Sequence, residues 1–355
     1  MIGKLMPVLL LCLLIAAGAA AETLTKKTDR GYVSESYTLT SSIKTEGTLI
    51  INAAGSLSGL LKIKAEGNEC RVKYRKLLKA DSKDEANEYA GSITVECSPQ
   101  QNNALLTLRA PARAPWSGTS NSARLEVTIS VPPMTKLEIN TAYFDIAASG
   151  PFAGCVVSES LSKVTVDNVT GDVEIKVSSR PVSLKKITGR LVVSNKYGKI
   201  RLQNIDATDK MATIRNEQDT IIINSFIGSA DISTSYSDII AENMTFLGDR
   251  NRIKNISAPI ILGLDSLTSG RLKVYNQYGM IKLNINGPVD AAFNCKISEE
   301  GAIDTKGMEM EPTLVYDDRL EFDVGNGTAE VRLSAKHNGN IIIKGPNSNT
   351  DTGGN

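Results

Sequence analysis

Three segments of this chain are close copies of one another: Thr188–Leu202, Ile227–Ile239 and Ser269–Leu283. Their lead glycines, Gly189, Gly228 and Gly270, stand 39 and 42 residues apart, and a fainter copy lies between each pair, so the unit is about 20 residues long. A fixed period of this size is the signature of a solenoid. A unit of two short strands cannot bury its apolar face alone, whereas stacked units share one continuous core.

Within each unit a short alternating strand leads through a polar corner into a second strand. Pro181, Tyr197, Gln218, Tyr236, Pro259 and Tyr278 mark successive corners, with a mean step of about 19 residues. Alternation places residues i and i+2 on one face. Leu191, Val193, Ile200, Leu202 and Ile205 are therefore expected to point inward. So are Ala230, Ile232, Ile239, Ala241 and Met244 in the next strong copy, and Leu272, Val274, Ile281 and Leu283 in the last. Parallel strands joined by crossovers turn right-handed in nearly all cases. The expected fold class is thus all-β, a right-handed single-stranded parallel β-helix or solenoid. Roughly ten coils at ~4.8 Å per strand would make a rod about 5 nm long.

The rest of the chain divides around this repeat. Residues 1–21 read as a secretory signal peptide: Lys4 supplies the positive charge, residues 8–17 the short apolar run and Ala19, Ala20 and Ala21 the small residues before a cut. Cys12 follows Leu11, where a lipid-modified cysteine would need a small neighbour. Residues 22–135 are expected to be a β-rich region with one short helix at 82–90, where Ser82 and Glu85 have capping-box spacing and Gly91 follows as a stop. Residues 110–118 read as a surface loop. The repeat is expected over 136–345, and 346–355 form a small, polar tail expected to be disordered. No apolar stretch after the signal reaches the length needed to span a bilayer, so the mature chain is expected to carry no transmembrane segment and to be exported, periplasmic, secreted or at the cell surface.

Forty basic residues balance thirty-nine acidic ones, with no block of like charge, which argues against a nucleic-acid partner. Export permits disulfides. Cys70 and Cys97 both lie in strand-like runs and are the candidate pair; Cys155 and Cys295 are expected as small buried residues.

Catalytic groups are scarce. The single histidine, His337, sits in a polar turn and cannot build a zinc site alone. No phosphate loop and no nucleophile elbow is present. Acidic residues such as Asp167, Asp206, Asp219 and Asp238 fall at different phases of the repeat. The expectation is no catalytic residue, no metal and no cofactor. Sequons at Asn168, Asn243, Asn255 and Asn326 follow from a composition rich in Asn and Thr. Two recurrences remain. Asn195, Asn216 and Asn276 share one corner position, where asparagine suits a left-handed turn or an amide ladder. Tyr197, Tyr236 and Tyr278 recur on alternate coils, about 10 Å apart at the usual strand spacing. These tyrosines could stack a ligand or close the end of the core. The candidate binding edge is therefore Tyr197, Tyr236 and Tyr278 with Asn195 and Asn276.

The chain resembles the bacterial exported putative adhesin family with repetitive β-strand domains. The resemblance rests on the order of parts: the 47–52 block and the 69–74 strand, then the helix and the 125–132 strand leading into 136–140, then serial Thr/Ser-Gly coils ending at 338–343. The Ser-Gly-Asp turn of that family is represented by Thr170-Gly171-Asp172 and drifts to Thr188-Gly189-Arg190. The resemblance implies a right-handed β-helix at the cell envelope and brings no catalytic residues. Together these readings point to a non-enzymatic, adhesin-like binding or scaffolding protein of the bacterial envelope, its partner a surface polysaccharide or an envelope protein. The alternatives are a carbohydrate-active β-helix enzyme, a polysaccharide lyase or hydrolase, and a partner in envelope-stress signalling.

Overall fold

Apolar alternation becomes burial throughout the repeat. Every residue expected to point inward in the three strong copies is at most 2 % exposed. The computed structural model of the protein describes residues 22–308 and 310–346, so the expected signal peptide and nearly all of the tail lie outside the described residues.

The chain is almost entirely β, and its strands pair in two long parallel ladders. Ladder A runs, in spatial order, through Asn103–Arg109, Thr48–Ala54, Lys136–Asn140, Gly154–Ser160, Val173–Val177 and Leu191–Ser194. It continues through residues 212–215 and 229–233, then Asn251–Asn255, Arg271–Asn276, Ala329–Ala335 and Ala291–Ile297. Ladder B runs through Ser122–Val131, Ser58–Ala65, Phe144–Phe152, Val164–Thr170 and Val182–Thr188. It continues through residues 200–207 and 221–228, Ile239–Phe246, Ile260–Ser266, Ile281–Ile285, Ile341–Lys344 and Ile303–Lys306. Both ladders pass residue 135 without a break.

The registers explain the composition. Ile200, Ile221, Ile239, Ile260, Ile281 and Ile341 stand directly over one another in ladder B. All six are fully buried. β-Branched side chains pack well on a pleated surface, and truncating one such residue to alanine costs about 2–5 kcal/mol.

Two further devices recur at the bends. Asn168, Lys186, Asn204, Ser225 and Asn243 adopt left-handed backbone, with φ between 53° and 65°, each at one bend inside a ladder B strand. The lead glycines have a different reason. Gly228 has φ 130°, and a Cβ there would stand 2.4 Å from the Ala207 carbonyl of the level beneath. Gly189 (φ 135°) meets the Gly171 carbonyl at 2.6 Å in the same way. Only glycine allows stacked backbones to approach so closely at that corner.

The order of stacking departs from chain order at both ends. Near the amino terminus, Thr48–Ala54 is flanked by Asn103–Arg109 on one side and Lys136–Asn140 on the other. Near the carboxyl terminus, Ala329–Ala335 lies between Arg271–Asn276 and Ala291–Ile297. Three of the four outermost parallel strands are then covered by antiparallel ones. Cys70–Lys79 covers Ser122–Val131, Thr94–Gln100 covers Asn103–Arg109, and Arg319–Val324 covers Ala291–Ile297. Such covers blunt edges that would otherwise recruit further strands. Asp317 and Asp318 form the turn between Glu311–Tyr316 and Arg319–Val324.

The helix spans Lys83–Gly91, and the Ser82 hydroxyl accepts from the Glu85 backbone N–H at 3.1 Å, the cap the sequence suggests. The segment read as a surface loop does more than connect. Its Trp116 is buried and packs edge-on against Tyr89 of the helix, ring centres 5.4 Å apart.

Candidate binding edge

One corner of the fold carries a column of asparagines. Registers at the ends of ladder A strands align Asn195, Asn216, Thr234, Asn255 and Asn276. The Asn195 side-chain amide donates to the carbonyls of Gly198 (2.8 Å) in its own turn and Arg180 (2.9 Å) in the turn before. Asn216 repeats this on Asp219 (2.6 Å) and Gly198 (3.0 Å). Asn255 bonds Ala258 and Ser237, and Asn276 bonds Met280 and Ala258. Each amide therefore clips its own turn and fastens it to the one beneath. Thr234 interrupts the column, and its buried hydroxyl has no hydrogen-bond partner.

The structure places two of the expected edge residues inside the corner. Asn195 and Asn276 are 4 % and 0 % exposed, with their amides spent on carbonyls. Their amides hold the corner in shape.

Two residues beyond the asparagines, the next column faces solvent. Its members are Tyr197, Gln218, Tyr236, Ser257, Tyr278 and His337, as the ladder A registers and the hydrogen bonds from the backbone N–H groups of 218, 236, 257 and 278 to the preceding turn require. Pro181 and Pro259 lie two residues past this column, at the positions that Lys199 and Met280 take in the following turns. Tyr197, Tyr236 and Tyr278 are 48 %, 66 % and 54 % exposed, so they do not close the end of the core. Lys196 Nζ stands 5.3 Å from the centre of the Tyr197 ring, and the Tyr278 ring stacks on the His337 imidazole.

Sequence reasoning missed two neighbours of this edge. Tyr143, half exposed, follows the buried Thr141 at the corresponding corner after Lys136–Asn140. His337 follows Ala335, which pairs with Asn276. The signal for both was position in the repeat, obscured because neither is preceded by an asparagine at the corner site.

Beside the tyrosines, the outer face of ladder A is basic. Arg215, Lys254 and Tyr275 share one outward row; Arg252, Lys273 and Arg332 share the next. Arg215 pairs with Asp231 at 3.2 Å, and Arg332 pairs with Glu330. Burial pushes the Glu330 carboxyl up, but hydrogen bonds from Arg332 and Arg271 outweigh it and hold that group below the usual carboxylate range. Among the described residues, Arg252, Lys254, Lys273 and Lys336 form no ion pair. Lys254 and Lys336 instead flank the Tyr275 ring at 6.0 and 5.8 Å. A shallow cleft of about 240 Å³ opens here, lined by Arg215, Asp231, Ser233, Arg252 and Lys254 among others.

A larger cleft, about 570 Å³, lies on the outer face of ladder B between Glu242, Asn243, Lys282, Asn284 and Lys344. It contains one carboxylate and no aromatic ring. Among the described residues, no group of three or more His, Cys, Asp or Glu side chains is arranged to hold a metal ion. No described helix is long and apolar enough to cross a membrane.

No protein-family model matches the chain, and no curated protein matches it. Three solved structures are similar to it at low identity. A putative cell adhesion protein from Clostridium sporogenes is 8 % identical over 88 % of this chain and 99 % of its own, with a TM-score of 0.20. A putative adhesin from Parabacteroides distasonis is 11 % identical over 87 % and 97 %, with a TM-score of 0.32. A putative adhesin from Bacteroides fragilis is 11 % identical over 88 % and 97 %, with a TM-score of 0.28.

Proposed function

We propose that this chain is an exported, non-enzymatic, right-handed parallel β-helix that works as an adhesin-like binding surface at the bacterial envelope, and that its ligand is an anionic polysaccharide. The observation that carries the reading is the column of exposed tyrosines beside cations that lack a carboxylate partner. Two levels separate successive tyrosines, about 10 Å at the usual strand spacing. That distance is comparable to two sugar residues along an extended chain. Aromatic faces take up the apolar faces of sugar rings, and Arg252, Lys254, Lys273 and Lys336 supply the charge for uronate or sulfate groups. The rigidity of the asparagine-clipped corner keeps both sets of groups in place before the ligand arrives, which lowers the cost of binding. Handedness follows from the strong preference of parallel crossovers.

The test is binding of the purified protein to polygalacturonate and to a neutral glucan of similar length. Binding to the acidic polymer, weakening with salt and lost when Tyr197, Tyr236 and Tyr278 are together changed to Ser, supports the reading. Equal affinity for both polymers, or unchanged binding by the folded triple variant, refutes this edge as the site. Release of unsaturated products from the polymer would refute the non-enzymatic assignment.

A further inference from the structure

Cys70 and Cys97 come together at the amino-terminal end of the fold. Cys70 begins the strand Cys70–Lys79 and pairs with Ser41 of Tyr37–Ser41. Cys97 lies mid-way along Thr94–Gln100, which packs beside Tyr37–Ser41. The two thiols lie within hydrogen-bonding reach of each other, and the Ser41 side chain within reach of Cys97. Both cysteines are free; Cys70 is fully buried, and Cys97 is half-buried against the same core.

We propose that Cys70 and Cys97 are a redox-active pair, with Cys97 the attacking thiol and Cys70 the resolving one, and that their oxidation staples the strand Thr94–Gln100 to the strand Cys70–Lys79. The division of labour follows from position. Cys97 is the member that solvent can reach, and hydrogen bonding from Cys70 and Ser41 holds its thiol below the ordinary value despite burial. The same contact with Cys97, together with burial, pushes the Cys70 thiol up, so it keeps its proton until Cys97 has reacted. The thiolate is the nucleophile, so the half-buried cysteine starts the reaction.

The oxidant is a small-molecule disulfide or a thiol–disulfide oxidoreductase. The Cys97 thiolate attacks one sulfur of oxidised glutathione, forming a mixed disulfide and releasing one glutathione, which takes up the proton that Cys97 lost. Cys70 then displaces the second glutathione from the Cys97 sulfur, and its own proton leaves with that glutathione. Two protein thiols thereby lose two protons and two electrons, and one disulfide becomes two thiols. The closed loop contains the helix Lys83–Gly91. The staple therefore secures Thr94–Gln100, which forms ladder pairing on one side only, with Asn103–Arg109. Cross-linking of this kind stabilises chiefly by restricting the unfolded chain.

The experiment incubates the reduced, purified protein in an oxidised-glutathione buffer, alkylates it and maps its peptides by mass. The expected result is a peptide pair linked through Cys70 and Cys97, with Cys155 and Cys295 recovered as free thiols. Those two are buried in ladder A, and burial pushes each thiol up to about 12, so they serve as internal controls. Oxidation should raise the thermal midpoint by several degrees, reversibly with a reductant. Cys70→Ser should trap glutathione on Cys97, whereas Cys97→Ser should take up none. Recovery of both Cys70 and Cys97 as free thiols in the wild-type protein, or a glutathione adduct that persists on wild-type Cys97, overturns the proposal.

Discussion

The ring of Tyr278 lies nearly parallel to the imidazole of His337, their centres 4.7 Å apart. They meet because Ala329–Ala335 inserts beside Arg271–Asn276, which sets the turn after Ala335 on the turn after Asn276. His337 is further held by Glu299, whose carboxylate lies 3.0 Å from Nδ1. Changing His337 to Ala should therefore uncover Tyr278. Nitration with tetranitromethane, read by peptide mass, is expected to speed up at Tyr278 and stay constant at Tyr197 and Tyr236. Stability should fall by about 1 kcal/mol or less, the usual worth of one ring pair.

Thr234 stands where an asparagine would continue the amide column, and its hydroxyl is buried without a partner. An amide at that position could reach the carbonyls of its own turn and of the one beneath. Thr234→Asn is expected to raise stability by about 1 kcal/mol, while Asn216→Ala should lower it by about 1–3 kcal/mol by leaving carbonyls unpaired. Urea unfolding midpoints at constant slope measure both. Destabilisation by Thr234→Asn would show that the corner has no room for the longer side chain.

Gly228 tests the close-approach corner. An alanine there would combine a φ of 130° with a 2.4 Å contact to the Ala207 carbonyl. The expected loss is about 1–3 kcal/mol or more, since strained backbone and displaced neighbours add. By contrast, Gly67→Ala meets no atom within 4 Å, and only its φ of 90° opposes it. The difference between the two thermal midpoints isolates the stacking contact.

Acid should loosen the carboxyl-terminal levels first at Asp290. Its carboxylate accepts from the Thr328 backbone N–H (3.2 Å), the Thr328 hydroxyl (2.9 Å) and the Asn326 backbone N–H (2.7 Å). These bonds hold the carboxyl below the usual aspartate value. A lowered folded-state pKa means the stabilisation is present above the unfolded value and lost as pH falls through the folded one. Amide exchange at Asn326 and Thr328 should accelerate, beyond its intrinsic pH dependence, as pH drops below about 4. In Asp290→Asn this extra acid dependence should vanish. An unchanged profile in the variant would assign the loosening to another group.

The core was legible in the sequence because alternation dictates which face is buried. Leu191, Val193, Ile232 and Leu283 needed no tertiary information. Alternation is silent, however, on which strand lies next to which. Ala329–Ala335 and Ala291–Ile297 carry the same inward-outward pattern, so nothing local says that the later strand sits inside the earlier one. The asparagine recurrence was equally visible, but its meaning was ambiguous. A polar residue at a turn is expected at the surface, and only the partner carbonyls of the adjacent level make Asn276 a buried clip. The tyrosines were legible as a column; the cations beside them were not, because Arg252 and Lys273 become neighbours only through the ladder register.

The interleaved ends also constrain how the molecule can be assembled. The place between residues 271–276 and 291–297 stays vacant until 329–335 arrives, so rung-by-rung growth in the order of synthesis stalls there. The last rung laid must be wedged between two earlier ones, and the hairpin Glu311–Val324 has to turn back before the pile is sealed. Duplicating an internal repeat could lengthen this molecule, but appending one at the tail could not.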